Sequence, residues 1–255
     1  MYPVWQNLAA SFSPETSKVA LWDLAWGAKY PLSKGGVWNL FESLPEREEQ
    51  FGRAMSAIDG LGAEAMVDDG PFGKFSRFVD VGGSRGHLLH RILSKHEAAT
   101  GVLFDRLPVI ENAKTAWQTE KAFNVSTAKS RISFESGSFF DSVPVAREKG
   151  DAFLMRYILH DWAPEEVKRI LANVRRAMDG KEATLLIGEC AMPNHDQTAV
   201  PPTIHSIDMQ MMMVANVAQE RSPAEWTELF KETGFKLVQI HPTRSLLHWV
   251  EAVPV

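Results

Sequence analysis

The sequence contains a single cysteine, Cys190, among 255 residues, which excludes an internal disulfide and a cysteine-based metal cluster and fits a reducing compartment. Positive charge is also in deficit. Lys and Arg number 27 against 32 Asp and Glu, giving a net charge of −5 and a pI near 5.9. That balance argues against a binder of phosphate backbones, so no nucleic-acid partner is expected. No apolar run reaches the length of a membrane span, and the opening MYPVWQNLAASFSPETSK carries neither a basic region nor an uninterrupted apolar core. A cytoplasmic protein without a membrane partner is the expectation. Internal repeats and low-complexity segments are missing too, and His87, His90, His195, His205, His241 and His248 show no metal-ligand spacing, so no metal is expected.

What is present reads as an ordinary soluble globule, 45% hydrophobic and 23% charged. Its length favours one large α/β domain with a helical extension over two independent domains. The organising stretch is Phe78 to Ile92, FVDVGGSRGHLLHRI. A short apolar run, Phe78-Val79-Asp80-Val81, reads as a buried parallel strand; Gly82-Gly83-Ser84-Arg85-Gly86 breaks it, and Leu88, Leu89 and Ile92 resume at helical spacing. Glycines at such a turn let a ligand approach the backbone, and the amides opening the helix attract electron-rich groups. Gly101 to Asp105 reads as a second strand ending in a carboxylate, where an acidic residue can hold the hydroxyls of a ribose. The pair predicts a nucleoside pocket.

Residues 1–70 read as an N-terminal helical extension and 71–255 as the main domain. In the extension, Val19 to Ala28 has the pattern of a short helix, Leu32 to Gly36 of a loop, and Pro45 with Glu46, Glu48 and Glu49 of a helix start that runs to a break at Gly60-Leu61-Gly62. Trp22, Trp26 and Trp38 are candidates for an aromatic substrate pocket, with the core as the competing place for each. Strands at about 77–81, 101–105, 131–135, 151–156 and 183–188 alternate with helices at about 86–96, 108–119 and 164–177. A helix over Ala224 to Thr233 and two strands, Phe235 to Ile240 and Ser245 to Val250, close the chain. The plan predicts a Rossmann-like, mostly parallel sheet of seven strands closed by an antiparallel hairpin.

That closing hairpin resembles the S-adenosylmethionine-dependent methyltransferase fold. The motifs Asp80 to Gly86, Phe104 to Ile110, Asp151 to Trp162, Gly188-Glu189-Cys190 and Gln219 to Ser222 resemble, in order, those of plant O-methyltransferases of the caffeic acid and hydroxyindole type. The resemblance runs from about Trp22 to the C-terminus. It implies S-adenosylmethionine as cofactor, held by Gly82, Gly83, Gly86, Asp105, Ser138, Phe139 and Arg156. It implies His160 as general base flanked by Glu189 and Glu220, and Met155, Asp161, Met211 and Met212 as substrate-binding residues. Two positions depart from the family pattern: Ser84 replaces the middle glycine of the turn, and Ser138 replaces the acidic residue before the Phe-Phe pair. The family also begins with a winged-helix dimerisation domain of about 100 residues, for which this chain has no room. A monomer, or a loose homodimer through exposed residues such as Trp5 and Trp22, is therefore expected.

The chemistry fits the resemblance. A phenol, with a pKa near 10, becomes a strong nucleophile toward a sulfonium methyl once a base takes its proton. Histidine suits that task near neutral pH, and a nearby carboxylate fixes its tautomer. From the apolar run Tyr157-Ile158-Leu159, His160 is expected just after a strand; a bland alternative makes His160-Asp161 a helix start before Pro164. The reading is an O-methyltransferase acting on a hydroxyl of a small aromatic or enolic metabolite, a phenol or enol, without metal. The alternative is a protein of the same fold that binds the cofactor but acts as a lyase or pericyclase, or as a non-catalytic partner.

Overall fold

The computed structural model describes residues 2–16, 19–34, 36–123, 126–193, 202–215 and 218–255. In chain order the helices are α1 (Tyr2–Trp5), α2 (Leu21–Trp26), α3 (Val37–Ser43), α4 (Pro45–Asp68), α5 (His87–Lys95), α6 (Leu107–Thr119), α7 (Ser126–Lys129), α8 (Pro164–Ala177), α9 (Pro202–Ala215) and α10 (Pro223–Thr233). The strands are β1 (Arg77–Val81), β2 (Thr100–Asp105), β3 (Ile132–Ser136), β4 (Asp151–Arg156), β5 (Thr184–Cys190), β6 (Phe235–His241) and β7 (Leu247–Pro254). By internal packing the chain divides into a smaller unit, 1–61 with 160–163 and 195–220, and a larger unit comprising the rest.

The larger unit holds the sheet, ordered β3-β2-β1-β4-β5-β7-β6. Its first five strands pair in parallel, and β7 runs antiparallel to both β5 and β6. This is the seven-stranded, hairpin-closed sheet the alternation predicts. Strand β1 is buried along its whole length, which is why Phe78, Val79 and Val81 read as an apolar run around Asp80 rather than as an alternation. The chain crosses from the β1–β2–β3 side to the β4–β5 side at β1, so ligands belong outside the carboxyl ends of these strands. A buried ion pair joins the opposite ends: Arg77 and Asp151, cross-strand partners on β1 and β4, meet at 2.6 Å.

Local chemistry sets the helix ends. Helix α10 starts with a capping box, in which the Ser222 hydroxyl accepts from the Glu225 N–H and the Glu225 carboxylate accepts from the Ser222 N–H, and stops at Gly234 in the left-handed region. Helix α8 carries Glu165 and Glu166 in its first turn and Arg175 and Arg176 in its last, matching the helix dipole.

The structure corrects the break expected at Gly60-Leu61-Gly62: α4 runs through it to Asp68. Gly62 serves close packing instead, since a Cβ there would stand 2.9 Å from Ser245 Cβ. Farther on, the Trp249 indole donates to the Met66 carbonyl at 2.8 Å.

The smaller unit has its own apolar cluster of Val4, Leu21, Trp22, Tyr30, Leu40, Phe41 and Met213. Trp22 is buried and donates to the Tyr30 carbonyl at 2.7 Å. Trp5 is half-buried and donates to Gln210 Oε1 at 2.9 Å. Neither is the exposed contact the sequence suggested, because each side chain is drawn into this cluster. Trp38 stacks on Trp162 with centroids 6.0 Å apart. Helix α3 had no counterpart in the sequence reading.

Candidate active site

In the larger unit the chain leaves β1 at Val81 and turns through Gly82 to Gly86 into α5. Gly82 and Gly86 have φ of +71° and +80°, which glycine adopts without a steric penalty. A Cβ on Gly82 would stand 2.5 Å from Ile158 Cδ1, and the ring of Phe139 lies 3.7 Å from the same point. Space at this turn thus depends on missing side chains. Ser84 holds the left-handed conformation at φ +53° despite its side chain. Its N–H donates to Asp105 Oδ2 at 2.9 Å, while the Arg106 N–H donates to Oδ1 at 2.7 Å. The carboxylate at the end of β2 is therefore turned toward the glycine turn by backbone donors. Behind the turn, the Trp117 indole donates to the Arg85 carbonyl at 2.9 Å and Arg85 pairs with Glu120.

The structure brings Gly82, Gly83, Gly86, Asp105 and Phe139 together around the carboxyl ends of β1 and β2. Ser138 Oγ accepts from the Phe140 N–H at 3.2 Å, and the Phe139 carbonyl accepts from Asn173 Nδ2 at 2.9 Å, which fixes this loop on α8. Arg156 ends β4, its guanidinium 5.7 Å from the ring centroid of Tyr157. Tyr157 itself takes φ +56°. That conformation ends the strand, so Tyr157-Ile158-Leu159 does not extend β4 as the apolar run suggested. Met155 on β4 and Glu189 on β5 are fully buried.

In the smaller unit His160 and Asp161 lie in a 3-10 turn, Leu159–Asp161. His160 Nδ1 meets Glu220 Oε1 at 2.7 Å, the side chains being 6% and 0% exposed. A carboxylate can only accept, so Nδ1 carries a proton, and in the neutral imidazole Nε2 keeps its lone pair. Asp161 Oδ1 lies 3.6 Å from Nε2, with 23% of its side chain exposed. Burial pushes the Asp161 carboxyl up to about 6; His160 pulls against that rise and the Glu220 charge adds to it. The backbone is tied here as well: the Gln219 N–H donates to the His160 carbonyl at 3.1 Å, and the Glu220 N–H donates to Asp208 Oδ1 at 2.9 Å.

Met211 and Met212 lie on α9, where Met212 packs against the apolar cluster. Asp208 was missed from the sequence. Its signal is an acidic residue in the methionine-rich stretch IDMQMMMVA of α9.

A parallel nucleotide-type sheet closed by an antiparallel hairpin, with a glycine turn facing a strand-end carboxylate, defines a Rossmann-like methyltransferase domain. The O-methyltransferase domain family matches residues 5–236, and the chain belongs to that family. It is 33% identical over 211 residues to the phenazine O-methyltransferase PhzM of Lysobacter antibioticus, covering 83% of this chain and 58% of that protein. It is 31% identical over 207 residues to an 8-amino-8-demethylriboflavin N,N-dimethyltransferase of Streptomyces davaonensis, covering 81% and 55%. The chain thus spans little more than half the length of these relatives. Among solved structures, LaPhzM superposes with a TM-score of 0.83 at 29% identity, covering all of this chain and 69% of that one. Human N-acetylserotonin methyltransferase shares the fold at a TM-score of 0.79 and 20% identity, covering 99% and 67%. Among the described residues no helix is long and apolar enough to cross a membrane.

Proposed function

We propose that the chain is the catalytic part of an S-adenosylmethionine-dependent O-methyltransferase acting on a hydroxyl of a small aromatic or enolic metabolite. The observation that carries this reading is the His160–Glu220 pair at 2.7 Å, which puts a proton on Nδ1 of a nearly buried imidazole and, in its neutral form, leaves Nε2 able to accept one. The turn of Gly82, Gly83 and Gly86 and the Asp105 carboxylate suit the methionine end and the ribose of the cofactor, since Gly82 leaves the backbone bare at a point already crowded by Ile158. Phe139 and Ser138 suit its adenine, and Arg156 borders the same strand ends. When bound, the cofactor supplies an electrophilic methyl group.

The chain's own work is to make the acceptor nucleophilic. His160 Nε2 takes the hydroxyl proton, and Glu220 holds Nδ1–H and stabilises the imidazolium that results. Asp161 adds a carboxyl near Nε2. Glu189, Met155, Met211 and Met212 keep the supporting and substrate-lining roles that the family motif assigns them. LaPhzM and PhzM, with phenazine O-methylation in the latter's name, support an aromatic acceptor.

The N,N-dimethyltransferase relative favours a second reading, an aromatic amine as acceptor. Incubation with methyl-labelled S-adenosylmethionine and paired panels of phenols and aryl amines separates the two. Label is expected in the phenols. Label confined to amines overturns the oxygen assignment, and label in neither overturns methyl transfer by this chain.

A further inference from the structure

The His160–Glu220 pair is placed by the backbone that carries Glu220, and residues 218–220 belong to no helix or strand. Such a segment has no ladder of its own to hold its N–H groups. Hydrogen bonds that include Gln219 N–H to the His160 carbonyl at 3.1 Å and Glu220 N–H to Asp208 Oδ1 at 2.9 Å supply the hold. We propose that Asp208 is a positioning residue of the reaction: it clamps the Glu220 backbone so that the Glu220 carboxylate engages His160 Nδ1 and keeps the imidazole proton off Nε2. The inference rests on His160 being the base.

The clamp transmits the position of a helix that is anchored independently of it. Helix α9 is seated by Met213, which is fully buried in the apolar cluster, and by Gln210, which accepts from Trp5 at 2.9 Å. Removing the Asp208 carboxylate leaves those anchors in place and frees the Glu220 N–H. Glu220 Oε2 has no hydrogen-bond partner among the described residues, so the contact with His160 is what orients the side chain, and the backbone decides whether it reaches. Once that contact loosens, nothing in the pair enforces one tautomer, because a neutral imidazole carries its proton on either nitrogen. Asp208→Asn keeps an acceptor oxygen for the Glu220 N–H, whereas Asp208→Ala keeps none.

The test is a two-bond proton–nitrogen NMR spectrum of the full chain with isotope-labelled histidine, in which the His160 signals are those absent from His160→Asn. Wild type and Asp208→Asn are expected to show His160 protonated at Nδ1 alone. Asp208→Ala is expected to show a mixture of tautomers at His160 while the other histidines keep their signals. Asp208→Ala with the wild-type His160 pattern overturns the clamp. So does a folded Asp208→Asn that has lost the Nδ1–H tautomer, which keeps the idea falsifiable if the alanine variant fails to fold. A wild-type spectrum with the proton on Nε2 overturns the base assignment itself, a separate failure.

Discussion

Replacing Glu220 by glutamine looks conservative, yet the geometry makes it a severe change. Glu220 Oε1 accepts from His160 Nδ1 at 2.7 Å, while Oε2 is buried and has no partner among the described residues. A carboxamide in that place has two choices. With its oxygen toward Nδ1–H, the NH2 group sits in the bare position, and a buried donor without a partner costs about 1–3 kcal/mol. With its NH2 donating to Nδ1, the amide oxygen takes the bare position, where an unpartnered oxygen already stands in wild type, so no new cost of that kind arises, but the imidazole proton must move to Nε2 and the base is lost. The second arrangement wins on those magnitudes. Glu220→Gln is therefore expected to lower turnover by roughly 10²-fold to 10⁴-fold, as much as His160→Ala, the usual contribution of a positioned general base. In barrier terms that is about 3–5 kcal/mol at ~1.4 kcal/mol per tenfold. Cofactor affinity should stay near the wild-type value, since neither residue belongs to the glycine turn. The assay is methyl transfer from labelled S-adenosylmethionine to phenols of graded acidity. For both variants the loss should shrink with acceptors already ionised at the assay pH, and higher pH should restore part of the rate. Glu220→Gln turning over an ordinary phenol at close to the wild-type rate would refute the tautomer argument; the same result for His160→Ala would refute the base.

Asp105→Ala removes the carboxylate that the Ser84 and Arg106 N–H groups turn toward the cofactor turn. S-adenosylmethionine should raise the melting temperature of wild type by mass action and that of the variant by much less; equal shifts in calorimetry count against the ribose role. Asp161, pushed up to about 6 from 3.8, binds its proton more tightly folded than unfolded, so its contribution to stability falls as pH rises through that window. Asp161→Asn should flatten the decline by an amount on the order of 1–3 kcal/mol, read from urea titrations across the window. His90 shows the opposite sign. Burial holds it down at about 4 against 6.5, so the neutral form is favoured in the fold and stability is lost as pH falls from 6.5 toward 4. His90→Phe, an aromatic among Trp117 and Phe123, should remove up to about 3 kcal/mol of that acid loss, and an unchanged acid limb in the same titrations argues against it.

The central strands, the glycine turn, the closing hairpin and helices α8 and α10 were legible in the sequence because each is encoded locally. A strand buried on both faces is an apolar run, a left-handed turn calls for glycine, and a capping box needs only Ser222 and Glu225 three residues apart. Asp105 was legible for a similar reason, standing at the end of a strand where ligands of such sheets lie, whereas the strand expected to run up to His160 stops at Arg156. The tertiary structure decided what local pattern leaves open. Gly60-Leu61-Gly62 reads as a break, but packing against Ser245 keeps α4 helical through it and uses the glycine for contact. Trp5 and Trp22 read as exposed aromatics, but α1, α2 and α9 enclose them in one cluster. Asp208 carried no motif at all; its meaning comes from a hydrogen bond to the backbone of a residue 12 positions away, beside a histidine 60 positions from Glu220. Periodicity and turn chemistry act over a few residues, whereas the tautomer of His160 is set by groups that meet only when distant segments pack together.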